Sequence, residues 1–338
     1  MKAKALIVTA PGSIELGEVE IPEPRAGEVL VRAAYSCVSP GTELRCLRNE
    51  GGAAGSFPYV PGYAMSGTVT RAGPGVDIAE GTQVYAGSTE RCSIRTQWGG
   101  HVEYAVRSAM SIIPIPPEVN LAQASVLKLA AIAHRGTRFS RPAEHPKVAV
   151  IGLGPIGQLS ARIHAAMGAT VVGADISENR LKRIRELGIP VVDTAGGIAS
   201  AFAAHFPDGA DVVVDATGVA TLLPKILPVL RSKPWNDSDV EGPRYIIQGS
   251  YPGTVALPYE DAFQREISLY VPRDQQRSDI DAAIGLLASG RLNIDNLIDT
   301  VRSPESAPAT YAELMERDTP LLTVLFDWAA MSPKKDVH

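Results

Sequence analysis

The chain has 338 residues, of which 45% are apolar and 20% charged, and a formal net charge of −5. That balance excludes a predominantly disordered chain, and an acidic surplus without a dense basic block argues against a general nucleic-acid binder. Three cysteines, Cys37, Cys46 and Cys92, cannot all pair within the chain and form no Cys-x-x-Cys, which argues against a disulfide framework or a four-cysteine zinc knuckle.

The first eight residues turn polar too quickly for a secretory leader, and no run of about 18 apolar residues offers a membrane span. Cytoplasm is the expected compartment, with neither membrane nor nucleic acid as a partner. Residues 1–120 read as strands and turns. Segments 5–8, 27–35 and 65–71 are short and β-branched. Prolines at 11, 22, 24, 40, 58, 61 and 74 exclude long helices there. A small β-barrel or partly open sheet is expected. Residues 121–139 are Ala- and Leu-rich and read as helix. Short apolar strands then alternate with helical stretches: 148–151, 171–175, a charged amphipathic segment 177–187, 190–193, 211–217, a helical 219–230, and 244–249. This β-α-β rhythm predicts a parallel sheet covered on both faces. The last segment holds helices over 280–289 and 307–316 and strand-like pieces at 298–301 and 321–326.

The pattern Gly152-x-Gly154-x-x-Gly157 directly follows the 148–151 run and opens a helical stretch. Gly152 permits a tight turn, Gly154 lets backbone approach a pyrophosphate, and Gly157 lets helix pack closely on strand. Pro155 and Ile156 complete the loop, and the helix start offers unpaired N–H groups to phosphates. Asp175 ends the next strand, 18 residues after Gly157. Its carboxylate suits an adenosine ribose and repels a 2′-phosphate, so NAD is favoured over NADP. Arg180 and Lys182 read as helix surface.

With these elements in order, the chain resembles the medium-chain dehydrogenase/reductase superfamily, the zinc-containing alcohol dehydrogenase-like fold. The likeness spans nearly the whole sequence: the 27–32 strand, Pro61-Gly62, Gly67-x-Val69, Gly73-x-Gly75-Val76, Gly81-x-x-Val84, Gly99-Gly100, the glycine loop, and the 211–218 strand end. It implies an α/β protein. A GroES-like catalytic domain would occupy 1–122 and a Rossmann NAD-binding domain 123–272, and 273–338 would complete the catalytic domain. It also implies a cleft between the two and a homodimer. Thr217, Gly249 and Ser250 would join the loop in holding the coenzyme.

Zinc-dependent members carry a cysteine in a Gly-x-Cys-x-Thr-Asp element, a histidine in Gly-His-Glu and a third ligand before the Rossmann domain. Here the matching positions read Ser39, in a stretch with one extra residue, Tyr63 and Lys128, and no four-cysteine lobe is present. Cys37 reads as packing, and His101 as strand surface. The resemblance therefore points to a zinc-independent member, similar to sugar and cyclitol dehydrogenases and to bacteriochlorophyllide dehydrogenase. A small-molecule secondary alcohol would be its substrate. Tyr63 and Lys128 would replace the metal, Lys128 stabilising an alkoxide and lowering the Tyr63 pKa to make a base. Ser39 or Thr42 would complete a proton relay, and Glu43 would orient Lys128 or the substrate. Each has a plainer reading: Lys128 as a solvated helix charge, Tyr63 as a cleft-lining aromatic, Glu43 as a turn acid. His134 faces the substrate or is a satisfied core histidine. Tyr251 would cover the substrate and Trp98 rim it. The competing functions are a zinc-free quinone or enoyl reductase, a tetrapyrrole side-chain dehydrogenase and a non-catalytic NAD-binding protein.

Overall fold

The computed structural model describes residues 1–50, 56–236, 239–251, 253–316 and 319–331. The chain forms two compact units, one of residues 1–128 and 298–338, the other of 129–297. The chain returns to the first unit at Ile298 rather than at 273, because the Arg277–Ala288 helix packs with the second unit.

The first unit is built on two sheets. One runs in the order Ser13–Glu20, Lys2–Ala10, Tyr59–Val60 and Arg95–Thr96. The larger runs in the order Ile298–Arg302, Thr323–Asp327, Glu28–Cys37, Met65–Ala72, Gln83–Tyr85 and Ile113–Pro114, with Tyr104–Ser108 also on Glu28–Cys37. The long central strand therefore carries the C-terminal strand beside it, Leu325 opposite Cys37 and Phe326 opposite Ser36. Register on its other edge sets Ser36 opposite Met65. The α-helix Pro40–Leu47 follows directly, within a region expected to hold only strands and turns. Its proline occupies the first turn, where no N–H partner is needed, and Glu43 puts negative charge at the positive helix end. The Glu43 carboxylate also reaches back to the Ser39 N–H at 2.7 Å, satisfying the backbone donor of the residue that precedes the helix.

The second unit is a six-stranded parallel sheet in the order Val191–Asp193, Thr170–Asp175, Lys147–Ile151, Val212–Asp215, Arg244–Ile247 and Ser268–Tyr270. Strand residues are buried alternately on both faces: Ala149, Ile151 and Val213 in one cluster, Val148, Val150 and Val212 in the other. That is why the strands read as continuous apolar runs. The order reverses between Lys147–Ile151 and Val212–Asp215, the switch point where open α/β sheets bind ligands. The expected 219–230 helix is split into three short pieces, with Pro224 and Pro228 at the starts of two of them.

His164, on the Pro155–Ala166 helix, is fully buried, with Nδ1 2.8 Å from the Ser160 carbonyl and Nε2 2.8 Å from Ser140 Oγ. Burial pushes its pKa down to about 4. The unfolded chain then binds this proton below about pH 6.5 while the native state refuses it until about pH 4. Stability therefore falls as the pH is lowered through that window, by up to about 1.4 kcal/mol per unit. Thermal melts at pH 7.5 and 5.0 should show a lower Tm in acid, and His164→Gln should shrink the difference. An unchanged difference would assign the acid sensitivity to other groups.

Candidate active site

At the carboxyl ends of the second unit's strands the glycine loop is shaped as its sequence requires. Gly152 sits at φ +85°, with a Cβ there 2.8 Å from Thr217 N, and Gly157 presses directly on the Gly152 carbonyl. Gly154 has open space where its Cβ would stand. It precedes the Pro155–Ala166 helix without capping it by a side chain, so the first helical amides remain available to phosphate oxygens. Pro155 and Ile156 are partly exposed beside it. Thr217–Gly218 and Gly249 meet across neighbouring strand ends, a Gly249 Cβ falling 2.7 Å from Gly218 N, and Ser250 is exposed next to them.

Asp175 is more committed than expected. Oδ2 accepts from Leu153 N at 2.6 Å, inside the loop, and Oδ1 accepts from Ile176 N and Ser177 N at 2.8 and 2.9 Å. Three of about four acceptor positions are thus filled by backbone, and the acid is a clamp on the loop. Arg180, read as helix surface, instead places its guanidinium 3.6 Å from Oδ2.

In the first unit, five predicted residues come together. The Tyr63 hydroxyl donates to Ser39 Oγ, and Thr42 hydrogen-bonds the same phenol. The Lys128 ammonium lies 5.7 Å from the Tyr63 ring centroid, a cation–π distance, and the Trp98 ring meets Tyr63 edge-on at 5.0 Å. The expected lowering of the Tyr63 pKa is not found. Burial pushes it up, with Glu43 adding to the rise and the Ser39 and Thr42 hydrogen bonds opposing it. Tyr63 thus stays a protonated hydrogen-bond donor in the neutral range rather than a base.

Several expectations are corrected. Glu43 orients neither Lys128 nor an open substrate position. Its carboxylate, 2% exposed, takes the Ser39 amide, His101 Nε2 at 2.9 Å and the Tyr311 hydroxyl. His101 is fully buried rather than strand surface. His134 is held at 2.9 Å by the buried Asp279, whose carboxyl burial pushes up but the Gln276 amide, His134 and Arg138 together hold below the usual range. It lines a cavity of about 370 Å³ with Met167, Ala282 and Arg291. The Tyr251 hydroxyl turns inward to the Asp215 carbonyl and Thr217, because its ring packs against the core beneath the sheet. Cys37 is buried, as packing requires. His101, Tyr311, Trp328 and Asp279 are the polar residues sequence reasoning missed. Among the described residues no group of three or more His, Cys, Asp or Glu is placed to hold a metal ion.

Two family models match the chain: an alcohol dehydrogenase GroES-like domain over residues 25–117 and a zinc-binding dehydrogenase over 155–233. Together they take in slightly more than half of it. The chain belongs to the medium-chain dehydrogenase/reductase superfamily, with the zinc-type alcohol dehydrogenase-like fold. It is 27% identical to 2-desacetyl-2-hydroxyethyl bacteriochlorophyllide A dehydrogenase of Cereibacter sphaeroides, covering 98% of this chain and 99% of that one. It is also 27% identical to 2-dehydro-3-deoxy-L-galactonate 5-dehydrogenase of Pseudoalteromonas atlantica, over 86% of this chain and 89% of that one. Two solved structures share the fold. One is an alcohol dehydrogenase from Escherichia coli CFT073 complexed with NADH (TM-score 0.82, 20% identity, 96% of this chain and 99% of that one). The other is a dehydrogenase from Sinorhizobium meliloti 1021 bound to NADP (TM-score 0.84, 24% identity, 97% and 99%). The zinc-binding model's match lies outside Ser39, Tyr63 and Lys128, so it carries no information about a metal at those positions.

Proposed function

We propose that the protein is an NAD-linked dehydrogenase of a secondary alcohol, in the sugar or cyclitol class, that works without catalytic zinc. One observation supports the reading: Lys128 Nζ stands beside Tyr63, which donates to Ser39, and these are the three positions that the resemblance matches to zinc ligands. Zinc takes thiolate, imidazole or carboxylate ligands, and a hydroxyl, a phenol and an ammonium do not fit it.

The residues of the second unit do fit a dinucleotide. Gly152, Gly154 and the helix start would hold the pyrophosphate, Asp175 the ribose, and Thr217, Gly249 and Ser250 the remainder. A nicotinamide supplies the hydride acceptor when bound. Lys128 Nζ holds positive charge beside the alcohol oxygen as it becomes an alkoxide, and Tyr63 keeps its proton on the phenol oxygen and fixes Ser39. Ser39 Oγ, accepting from Tyr63, has a second lone pair to receive the alcohol proton as it hands its own hydrogen to a water, so that the proton leaves to solvent and the hydride to the coenzyme. Arg180 beside Asp175 favours a second reading, in which its guanidinium receives the 2′-phosphate of NADP.

A homodimer is the expected assembly. Trp235, Phe263 and Tyr259 form an exposed aromatic row, ring centroids 5.9 and 5.6 Å apart, the last two just ahead of the edge strand Ser268–Tyr270 in sequence. Among the described residues no helix is long and apolar enough to cross a membrane, and a cytoplasmic setting suits the reading.

The test is a polyol and glycoside screen with NAD and NADP in parallel on metal-stripped protein. Turnover insensitive to chelation, with NAD preferred by at least about tenfold in kcat/KM, is the expected outcome. Stoichiometric zinc that leaves together with activity would end the zinc-free reading, and an NADP preference would move the assignment to Arg180.

A further inference from the structure

Beneath the Ser39–Tyr63 pair lies a chain of polar side chains that the proposed chemistry does not use. Trp328 Nε1 donates to Ser36 Oγ at 2.8 Å, and Ser36 Oγ is 2.7 Å from His101 Nδ1. An indole can only donate, so Ser36 accepts from Trp328; the Glu43 carboxylate can only accept, so His101 donates to it from Nε2 and Nδ1 is left to take the Ser36 hydrogen. His101 then carries its proton on Nε2 and donates to Glu43 Oε2 at 2.9 Å, where the Tyr311 hydroxyl donates as well. Oε1 takes the Ser39 amide. Ser36, His101, Tyr311 and Trp328 are all at most 1% exposed. The chain is no proton relay: its far end is sealed, and Glu43 meets Ser39 through the backbone amide, not the hydroxyl.

Its geometry instead touches both segments that carry the proposed site. Through Glu43 it holds the start of the Pro40–Leu47 helix. Through the ring itself it lies under Gly62, where an added Cβ would stand 2.6 Å from His101 Cδ2. Backbone bonds tie the same two strips, His101 N to the Pro61 carbonyl at 3.0 Å and Gly100 N to the Gly62 carbonyl at 2.7 Å. The residue after Gly62 is Tyr63. One imidazole thus fixes the separation between Ser39 and Tyr63, and two side chains from the end of the sequence, Tyr311 and Trp328, fix the imidazole and its carboxylate.

We infer that Glu43 and His101 are positioning residues for the Ser39–Tyr63 pair, locked by Tyr311 and Trp328. The inference rests on the reading that this pair faces the alcohol, but its geometry can be tested apart from turnover.

The chain has three tryptophans, 98, 235 and 328. Trp328 is in the hydrogen-bonded chain, Trp98 abuts Tyr63, and Trp235 is in the other unit. Protein with ¹⁵N-labelled indoles should therefore report the network at two sites and a control at the third. Glu43→Gln keeps size and the acceptor for Ser39 but turns an amide donor toward His101 and Tyr311. The Trp98 and Trp328 resonances should move, Trp235 should not, and kcat should fall at least about fivefold with coenzyme affinity unchanged. Tyr311→Phe removes one donor and should give the same pattern more weakly; it carries the test if Glu43→Gln does not fold. Movement of Trp328 alone, or of neither, in a folded variant would overturn the inference. Wild-type protein that turns over no alcohol would defeat the functional reading, while the resonances would still decide the positioning.

Discussion

Lys128→Met is expected to lower turnover at least about tenfold, with the affinity for NAD held within about twofold. Methionine keeps the length and the apolar stem of the side chain, so packing beside the half-buried Lys128 position is preserved while the charge is lost. What disappears is the ammonium lying 5.7 Å from the Tyr63 ring. The cation–π contact alone contributes about 0.5–1 kcal/mol at such a site, so thermal melts of the variant accompany the rate measurement. A tenfold loss in rate corresponds to about 1.4 kcal/mol of transition-state stabilisation, well within what a single oriented charge supplies. On the proposed reading coenzyme binding falls to residues of the other unit, and it serves as the internal control, read by fluorescence titration with NADH. Tyr63→Phe should act in the same direction but less strongly, because it removes a fixed hydrogen bond to Ser39 and leaves the ammonium in place. If folded Lys128→Met turns over at the wild-type rate, the alkoxide charge is stabilised by some other group, and Lys128 is a helix charge packed against an aromatic ring.

The sheet and the glycine loop of the second unit were legible, because their signals are local. Strand, glycine turn and helix start follow one another within a dozen residues, and buried parallel strands announce themselves as apolar runs. The first unit's site was legible only in part. Seven prolines read as helix breakers, yet Pro40 stands at a helix start, where proline costs nothing. His101 follows two glycines and alternates like an exposed strand residue, and its burial is decided by Glu43 and Ser36, 58 and 65 positions away. In the second unit His134 is likewise settled by Asp279, 145 positions on. Tyr311 and Trp328 lie farther still from their partners. Such pairings have no periodicity and no fixed spacing. Only a local clue existed for one of them: a glycine at 62, required because an imidazole occupies the space of its side chain. The Tyr63 pKa shows the same limit in energetic form. A nearby lysine suggests a lowered value, but desolvation depends on how much chain closes over the phenol, and it dominates.

Gly157→Ala and Gly154→Ala should separate the structural from the binding role of the coenzyme loop. At Gly157 a Cβ would stand 1.7 Å from the Gly152 carbonyl oxygen and 2.8 Å from its carbon, both backbone atoms. No rotamer change relieves that contact. Gly152 is itself confined, at φ +85° against Thr217, so the helix start must move off the strand. Overpacking of this kind costs about 1–3 kcal/mol, a fall in Tm of roughly 5 °C for a unit of this size. The displaced loop should also lose at least about tenfold in NAD affinity, because the Leu153 amide that Asp175 clamps at 2.6 Å moves with it. Gly154 differs: nothing lies within 4 Å of its Cβ direction, and its φ of −66° suits any residue. Gly154→Ala should therefore melt with the wild type yet bind NAD at least about tenfold more weakly, the added methyl occupying the approach of the pyrophosphate. Calorimetric titration beside thermal melts reads both quantities on the same protein. Undiminished NAD affinity in Gly154→Ala would place the pyrophosphate elsewhere than over this glycine, even if Gly157→Ala behaves as expected.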